Sequence, residues 1–335
     1  MMAAGIPALV VTHDAQHGVT QYSQLVASAV ERLIGVRVRV SSSELAHPSA
    51  LTHSHLHFTD RLWGASPEEA AARIESIAAR TSITVTLHDL PQHSDGAANF
   101  ARRADCYRRV LAAAQGVVCN SVHELDVLKE FVDEAARAHV IPLPIDAEPL
   151  AAVRPVGDGN IAVLGFYYPG KGHIDVVRAA ARIARTTSLR PGVVVLGRAS
   201  IGHEGDLDRL ARTAARLCVP FEVTGYLDDA ELFERTRRAS VAVAAHRHFS
   251  ASGSINTWIA SGRRPLVVDG RYTREVAGLR PGTVTLVDGT EALPGAIAAA
   301  LAEPDSTWLP ADAVMGPNAA DVASAYVSWW RGMEW

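Results

Sequence analysis

Lysine is almost missing from this chain: of 32 basic residues only two, Lys129 and Lys171, are lysines, and arginine supplies the rest. A lysine kept in a glycine-rich turn, as Lys171 is, asks for a specific role. Cysteine is also scarce. Cys106, Cys119 and Cys218 are far apart and show no paired metal-ligand spacing, so they read as small buried hydrophobes of a reduced compartment rather than a disulfide framework. Basic charge is not in excess, since 36 acidic residues leave a net charge of -4. No sequence-wide field draws the chain onto nucleic acid, and any anion must be caught by a local site. No apolar run approaches the ~20 residues of a membrane span. The segment Met1 to Val11 lacks a basic leader and reaches His13 and Asp14 too early for a signal-peptide core of ~7–15 apolar residues. The expectation is a cytoplasmic protein, with contact at the inner face of the membrane left open.

What the sequence does hold is apolar material, 48% of 335 residues, enough for about two domains of ~100–200 residues. Apolar runs of strand length alternate with segments of helical period, the pattern of parallel sheets with helices on both faces. Strands are expected at Ala8–Thr12, Val36–Val40, around Leu56, Ile83–Leu87, Gly116–Cys119 and His139–Ile141, with an early helix over Gln21–Leu33. Pro142–Asn160 holds four prolines and two glycines without periodicity and reads as a linker. A second set of strands follows at Ile161–Leu164, Gly192–Leu196, Phe221–Thr224, Ser240–Ala244, Pro265–Val268 and Val284–Leu286, and a last helix covers Ala319–Trp330. Two doubly wound α/β units in tandem, 1–148 and 149–312, place a ligand cleft above the carboxyl ends of their strands.

The most informative segment is Gly165-Phe-Tyr-Tyr-Pro-Gly170-Lys171-Gly172 between the strand Ile161–Leu164 and a helix over Ile174–Ile183. Glycines let the backbone approach an anion, a helix N-terminus points amides at it, and lysine neutralises it. Gly165 and Gly170-Lys171 match all but the last residue of a P-loop, where Gly172 replaces the hydroxyl that holds magnesium; Asp269 would be that reading's second metal element.

Other segments favour a different assignment. Phe221-Glu-Val-Thr-Gly225-Tyr-Leu-Asp-Asp-Ala-Glu-Leu232, Ala260-Ser-Gly262-Arg-Arg-Pro265-Leu-Val-Val and Thr273-Arg-Glu275-Val, taken with the lysine turn, resemble the nucleotide-sugar domain of the family 4 retaining glycosyltransferases. In the first half Val85-Thr-Leu-His88-Asp89-Leu-Pro91, Val118-Cys-Asn-Ser121 with Glu124, and His139-Val-Ile-Pro-Leu-Pro-Ile-Asp146 are similar to that family's segments, in order. The resemblance implies the GT-B fold, two Rossmann-like domains facing across a cleft, with residues 313–335 crossing back to the first domain.

It further implies roles. Lys171 and Gly170 hold the donor diphosphate, the loop Gly225, Tyr226, Leu227 lies against the nucleotide base, and His88 contacts the donor sugar, with a core histidine capping its own loop as the alternative. Asp89 braces the backbone rather than acting as a nucleophile. Gly18 is the candidate to bring amides to the diphosphate from the first domain, with a plain helix-start turn as the alternative. His53, His55 and His57 share one strand face, as do His246 and His248, but neither set has a recognised zinc pattern, and no metal is expected. His246 to His248, with Arg247 between them, are candidates to border the donor cleft.

The chain also departs from the family. The paired glutamates are replaced by Phe249 and Thr257, and the arginine beside the lysine turn by Phe166. The substituting run Ser250-Ala-Ser252-Gly253-Ser254-Ile255-Asn256 resembles an anion nest at a helix entrance, with Ser254 as cap and Asn256 or Thr257 toward a ribose hydroxyl. An ordinary serine-rich helix cap is the competing reading. The function implied is a retaining, metal-independent glycosyltransferase of hexosyltransferase type, using a nucleotide sugar as substrate, no cofactor, and a carbohydrate, lipid-linked or small-molecule acceptor. A catalytically silent GT-B protein and a P-loop NTPase are the alternatives.

Overall fold

A computed structural model describes residues 5–46, 51–146, 154–247 and 250–335. His248 and Phe249, the first four residues and the middle of the expected linker lie outside the described residues. The chain forms two compact units, Met1–Pro144 with Pro317–Trp335, and Ile145–Gly316.

The first unit contains β1 (Ala8–Val11), β2 (Arg39–Ser41), β3 (His53–Phe58), β4 (Ser82–Leu87), β5 (Gly116–Cys119) and β6 (His139–Val140), all parallel, in the order β2-β1-β3-β4-β5-β6. Its opening helix runs Gly18–Ile34, three residues earlier than its apolar period suggests, because the His17 ring accepts the Val19 amide at 3.2 Å and caps it. The same helix ends at Gly35 with φ 69°, a left-handed cap that suits glycine. β2 begins at Arg39 rather than Val36. The Glu31 carboxylate takes the amides of Val38 and Arg39 at 3.1 and 3.0 Å, so the ladder starts only after that contact. One sheet face is apolar, with Leu56, Phe58, Ile83, Val85 and Leu87 packed on Ile74 and Tyr107. The other carries the helices Gly18–Ile34 and Ala319–Arg331, which bury Val26, Val30, Val322, Tyr326 and Trp330 together.

The second unit contains β7 (Ile161–Leu164), β8 (Val193–Leu196), β9 (Phe221–Val223), β10 (Val241–Ala244), β11 (Leu266–Val268) and β12 (Thr285–Val287) in the order β12-β11-β10-β7-β8-β9. Its ladders are parallel too. This is the doubly wound order in which the chain leaves β7 in one direction and returns beside it at β10. Four-residue runs such as Val-Val-Val-Leu in β8 are buried on both faces, which is why they read as continuous apolar stretches rather than alternations. Among the described residues no helix is long and apolar enough to cross a membrane.

Candidate functional site

In a doubly wound sheet, ligands bind at the carboxyl ends of the strands where the winding reverses. In the second unit that point lies between β7 and β10, and the two segments leaving those strands are joined there. The Arg247 amide donates to the Gly170 carbonyl at 2.9 Å, and the Arg247 guanidinium holds the Asp175 carboxylate at 3.0–3.2 Å. Gly172 has φ 81°, and a Cβ there would run into the Ala245 carbonyl. Neither a serine nor a threonine fits at Gly172, so the P-loop's magnesium hydroxyl has no place in this turn. Asp269, the second element of that reading, is tied to Arg274 at 2.6 and 2.7 Å.

Lys171 sits at the end of a short turn, Pro169–Lys171, and is 5% exposed. Its Nζ lies against Gly165, in space that any side chain at 165 would fill, and Ser254 Cβ borders the same position at 3.8 Å. Among the described residues no carboxylate pairs with this ammonium. Burial therefore pulls its pKa down to about 7. His173 and His246 are buried nearby and are held neutral, His173 down to about 3 and His246 well below its usual value, by burial first and the Lys171 charge second. Asp175, four residues along the chain from Lys171, is held by Arg247. The Lys171 ammonium beside Gly165 thus carries a charge that no acidic side chain among the described residues balances, and it favours an anion.

The helix Gly253–Ala260 opens toward Lys171. Its cap is Ser252, not Ser254: Ser252 Oγ takes the Ile255 amide at 3.4 Å, and the Ser252 amide is fixed by Tyr272 Oη at 2.8 Å. Ser254 Oγ is 3.1 Å from Ser252 Oγ. Gly253 does not occupy the left-handed region, and nothing lies within 4 Å of where its Cβ would be. What glycine provides at 253 is open space rather than a left-handed backbone. The Ile255 side chain is fully buried among Ala244, Val267 and Tyr272, so only its backbone belongs to the helix entrance. Asn256 is 7% exposed beneath the first turn, and Thr257 Oγ1 donates back to the Gly253 carbonyl at 3.0 Å. On the other side of β7, Thr224 Oγ1 takes the Gly197 amide at 3.1 Å. Gly225 follows with φ 76°, Tyr226 is 52% exposed, and Leu227 packs back on Leu164, Leu196 and Trp258.

In the first unit His88 directly follows β4 and is buried. Its amide donates to the Phe58 carbonyl at 2.8 Å, Tyr107 Oη donates to its carbonyl at 2.5 Å, and its Nε2 lies 3.2 Å from His57 Nδ1. Burial and then the neighbouring imidazole push both histidines well below their usual pKa, so the pair is neutral. Asp89 carries φ 50°, and its carbonyl accepts from Arg103, which also grips Asp60 at 3.1 Å. It is a backbone brace in this unit. His55, the middle histidine of β3, is committed to Thr84 and Thr86 at 2.9 and 3.0 Å, and Thr86 continues to Tyr326 at 2.8 Å. Among the described residues no three histidine, cysteine or acidic side chains converge as metal ligands. Gly18 is the exposed first residue of its helix, with nothing within 4 Å of a Cβ and no positive φ. It presents a first-turn amide that the helix itself leaves unpaired.

No family model matches the chain, and no curated protein matches it. Solved structures do. Anabaena Alr3699/HepE in complex with UDP and glucose aligns with a TM-score of 0.66 at 13% identity over 97% of each chain. Sucrose-phosphate synthase from Thermosynechococcus elongatus aligns at 0.60 and 18% identity, over 83% of this chain and 70% of that one. A UDP-forming trehalose-phosphate synthase from Burkholderia xenovorans, in complex with glucose-6-phosphate, aligns at 0.59 and 12% identity, over 93% and 77%. The chain has the GT-B fold.

Within that fold the structure brings Gly170, Lys171, Gly253 and Ser254 to one place, and sets Gly225–Leu227 two strands away at the same sheet edge. Several residues escaped the sequence reading. The His57–His88 contact and the Tyr22, Tyr326 and Asn120 hydroxyl–amide chain beneath it connect residues up to 304 positions apart, which no local pattern reveals. The Asp175–Arg247 pair, which joins the first turn of a helix to the segment after β10 across 72 positions, was equally invisible.

Proposed function

We propose that this chain is a metal-independent, retaining glycosyltransferase that moves a hexosyl group from a nucleotide sugar to an acceptor hydroxyl. The observation that carries this is the uncompensated, buried Lys171 ammonium over Gly165, facing the entrance of the helix Gly253–Ala260 at the sheet's reversal point. As the glycosidic bond breaks, negative charge grows on the departing diphosphate, and a fixed cation with helix amides stabilises that charge without reorganising. The sequence order of the lysine turn, the Gly225 loop and the Gly262–Pro265 entry supports a retaining donor domain. UDP is the first nucleotide to test, because Anabaena Alr3699/HepE was solved with it.

His88 is proposed as the residue that touches the donor sugar. A neutral imidazole held by His57, Phe58 and Tyr107 offers a positioned hydrogen bond rather than a charge. His88→Ala is expected to lower transfer on the order of 10–100-fold while UDP affinity changes by less than about threefold. A chelator leaves transfer intact. Loss of transfer in EDTA with recovery on adding magnesium or manganese contradicts the mechanism.

Gly253→Val probes the helix entrance. With no clash and no strained φ, the variant should fold with less than ~1 kcal/mol change in stability, yet lose UDP affinity at least about tenfold by filling the anion's space. Calorimetry showing unchanged affinity removes Gly253 from the site. The absence of the glutamate pair favours one second reading, a GT-B protein that binds the nucleotide sugar without turning it over. Tight UDP-sugar binding with no hydrolysis or transfer in any acceptor mixture would select it.

A further inference from the structure

The donor reading leaves a charge deficit. A nucleoside diphosphate brings about three negative charges at neutral pH, whereas Lys171 supplies at most one positive charge, and the Arg247 guanidinium is spent on Asp175. The sheet shows where a second cation enters. β7 and β8 run in register as Leu164↔Leu196, and the pairing resumes after a glycine in each strand as Tyr167↔Ala199. Gly165 and Gly197 therefore sit opposite each other, so closely that a Cβ on Gly197, at φ 150°, would lie 2.5 Å from the Gly165 carbonyl. The Tyr167 amide donates to the Arg198 carbonyl at 2.8 Å, and the Ser200 amide to the Tyr167 carbonyl at 2.9 Å. This clamp places Arg198 directly opposite Phe166, and the Arg198 guanidinium lies over the Phe166 ring, 5.5 Å from its centre.

The even-numbered positions Ala162, Leu164, Val194 and Leu196 face one side of the sheet and pack there with Trp258 of the helix Gly253–Ala260 and with Leu227. Phe166 and Arg198 continue those two rows one step beyond the carboxyl ends. They lie past the carboxyl ends of β7 and β8, on the sheet face that carries Trp258 and Leu227.

We infer that Arg198, seated on Phe166, is the second diphosphate-binding cation of this site, delivered from β8 instead of from the lysine turn. The aromatic seat explains why a phenylalanine follows Gly165: stacking orders a long side chain before ligand arrives, which lowers the entropy lost on binding. Exposed and ordered, the guanidinium grips phosphate oxygens with two parallel N–H donors where lysine gives one point charge.

This inference rests on the donor reading, and its test separates the two. Calorimetric titration of the full chain with UDP, GDP, ADP and dTDP selects the tightest nucleotide, which is then titrated into Lys171→Met, Arg198→Gln and Arg198→Lys. Arg198→Gln should weaken binding on the order of 10–100-fold and flatten its salt dependence. Arg198→Lys should recover part of the loss, and Phe166→Leu should fall between the parent and Arg198→Gln. All three surface variants should unfold at the parent temperature without ligand. Lys171→Met losing affinity while Arg198→Gln binds like the parent overturns the role of Arg198 alone. No binding by the unaltered chain, or no effect of either substitution, overturns the donor reading and this inference together.

Discussion

Lowering the pH from 7 to 5 is expected to destabilise both units of the protein. His55, His57 and His88 in the first unit and His173 and His246 in the second are all less than 8% exposed, and burial holds every one below its usual pKa of 6.5. The unfolded chain takes up protons below pH 6.5 that the folded chain refuses, so stability falls as pH drops through that value. At pH 5 His55 and His173, each pulled down to about 3, cost roughly 2 kcal/mol apiece. His57 and His88 in the first unit and His246 in the second act in the same direction, against a total stability of about 5–15 kcal/mol for a domain. Circular dichroism across urea series at pH 8, 7, 6 and 5 reads the slope. His173→Leu isolates one contribution, because neither nitrogen of that buried ring has a hydrogen-bond partner among the described residues. It should regain about 2 kcal/mol at pH 5 and change little at pH 8. A stability that is flat between pH 7 and 5 contradicts the neutral-histidine account.

Lys171→Met should stabilise the ligand-free protein and abolish its binding of a nucleoside diphosphate. The folded state depresses this lysine from 10.5 to about 7 by burial alone, and a displacement of that size costs on the order of 4 kcal/mol while the unfolded lysine is protonated and the folded one must be too. The penalty is full below pH 7 and fades as pH rises toward 10.5. Methionine fills the same volume without charge. Urea unfolding at pH 6 should show a gain of several kcal/mol, and UDP affinity should fall at least about 100-fold. A protein that keeps its stability and its affinity after this change has no strained cation at the site. The combination matters, since a purely structural lysine would lose stability on replacement.

Much of the fold was legible because parallel strands buried on both faces are short apolar runs that little else imitates. β7 and β5 fall where their runs lie, at Ile161–Leu164 and Gly116–Cys119. Where an end moved, a side chain or cap moved it: Glu31 delayed β2, and His17 advanced the first helix. The site was legible in part for the same local reason. Lys171 stood out against an arginine-only background, and glycines around it mark close backbone approaches that the structure contains at Gly165 and Gly172. The helix cap went to Ser252 because Tyr272, 20 residues away, fixes the Ser252 amide. Arg198 and His57 depend on strand register, which puts residues 32 and 31 positions apart side by side, and no single-segment motif carries that information.

The most direct test of the central claim is the proton that accompanies ligand. A lysine with a pKa of about 7 is mostly neutral at pH 8, and a bound diphosphate, by holding the charged form, must pull a proton onto it. Titrating UDP at pH 8 in two buffers of different ionisation enthalpy measures that uptake. The account predicts close to one proton, roughly 0.9, taken up per UDP bound, falling toward zero at pH 6, with affinity weakening up to tenfold per pH unit above 7. UDP binding with no proton uptake at pH 8 would contradict it.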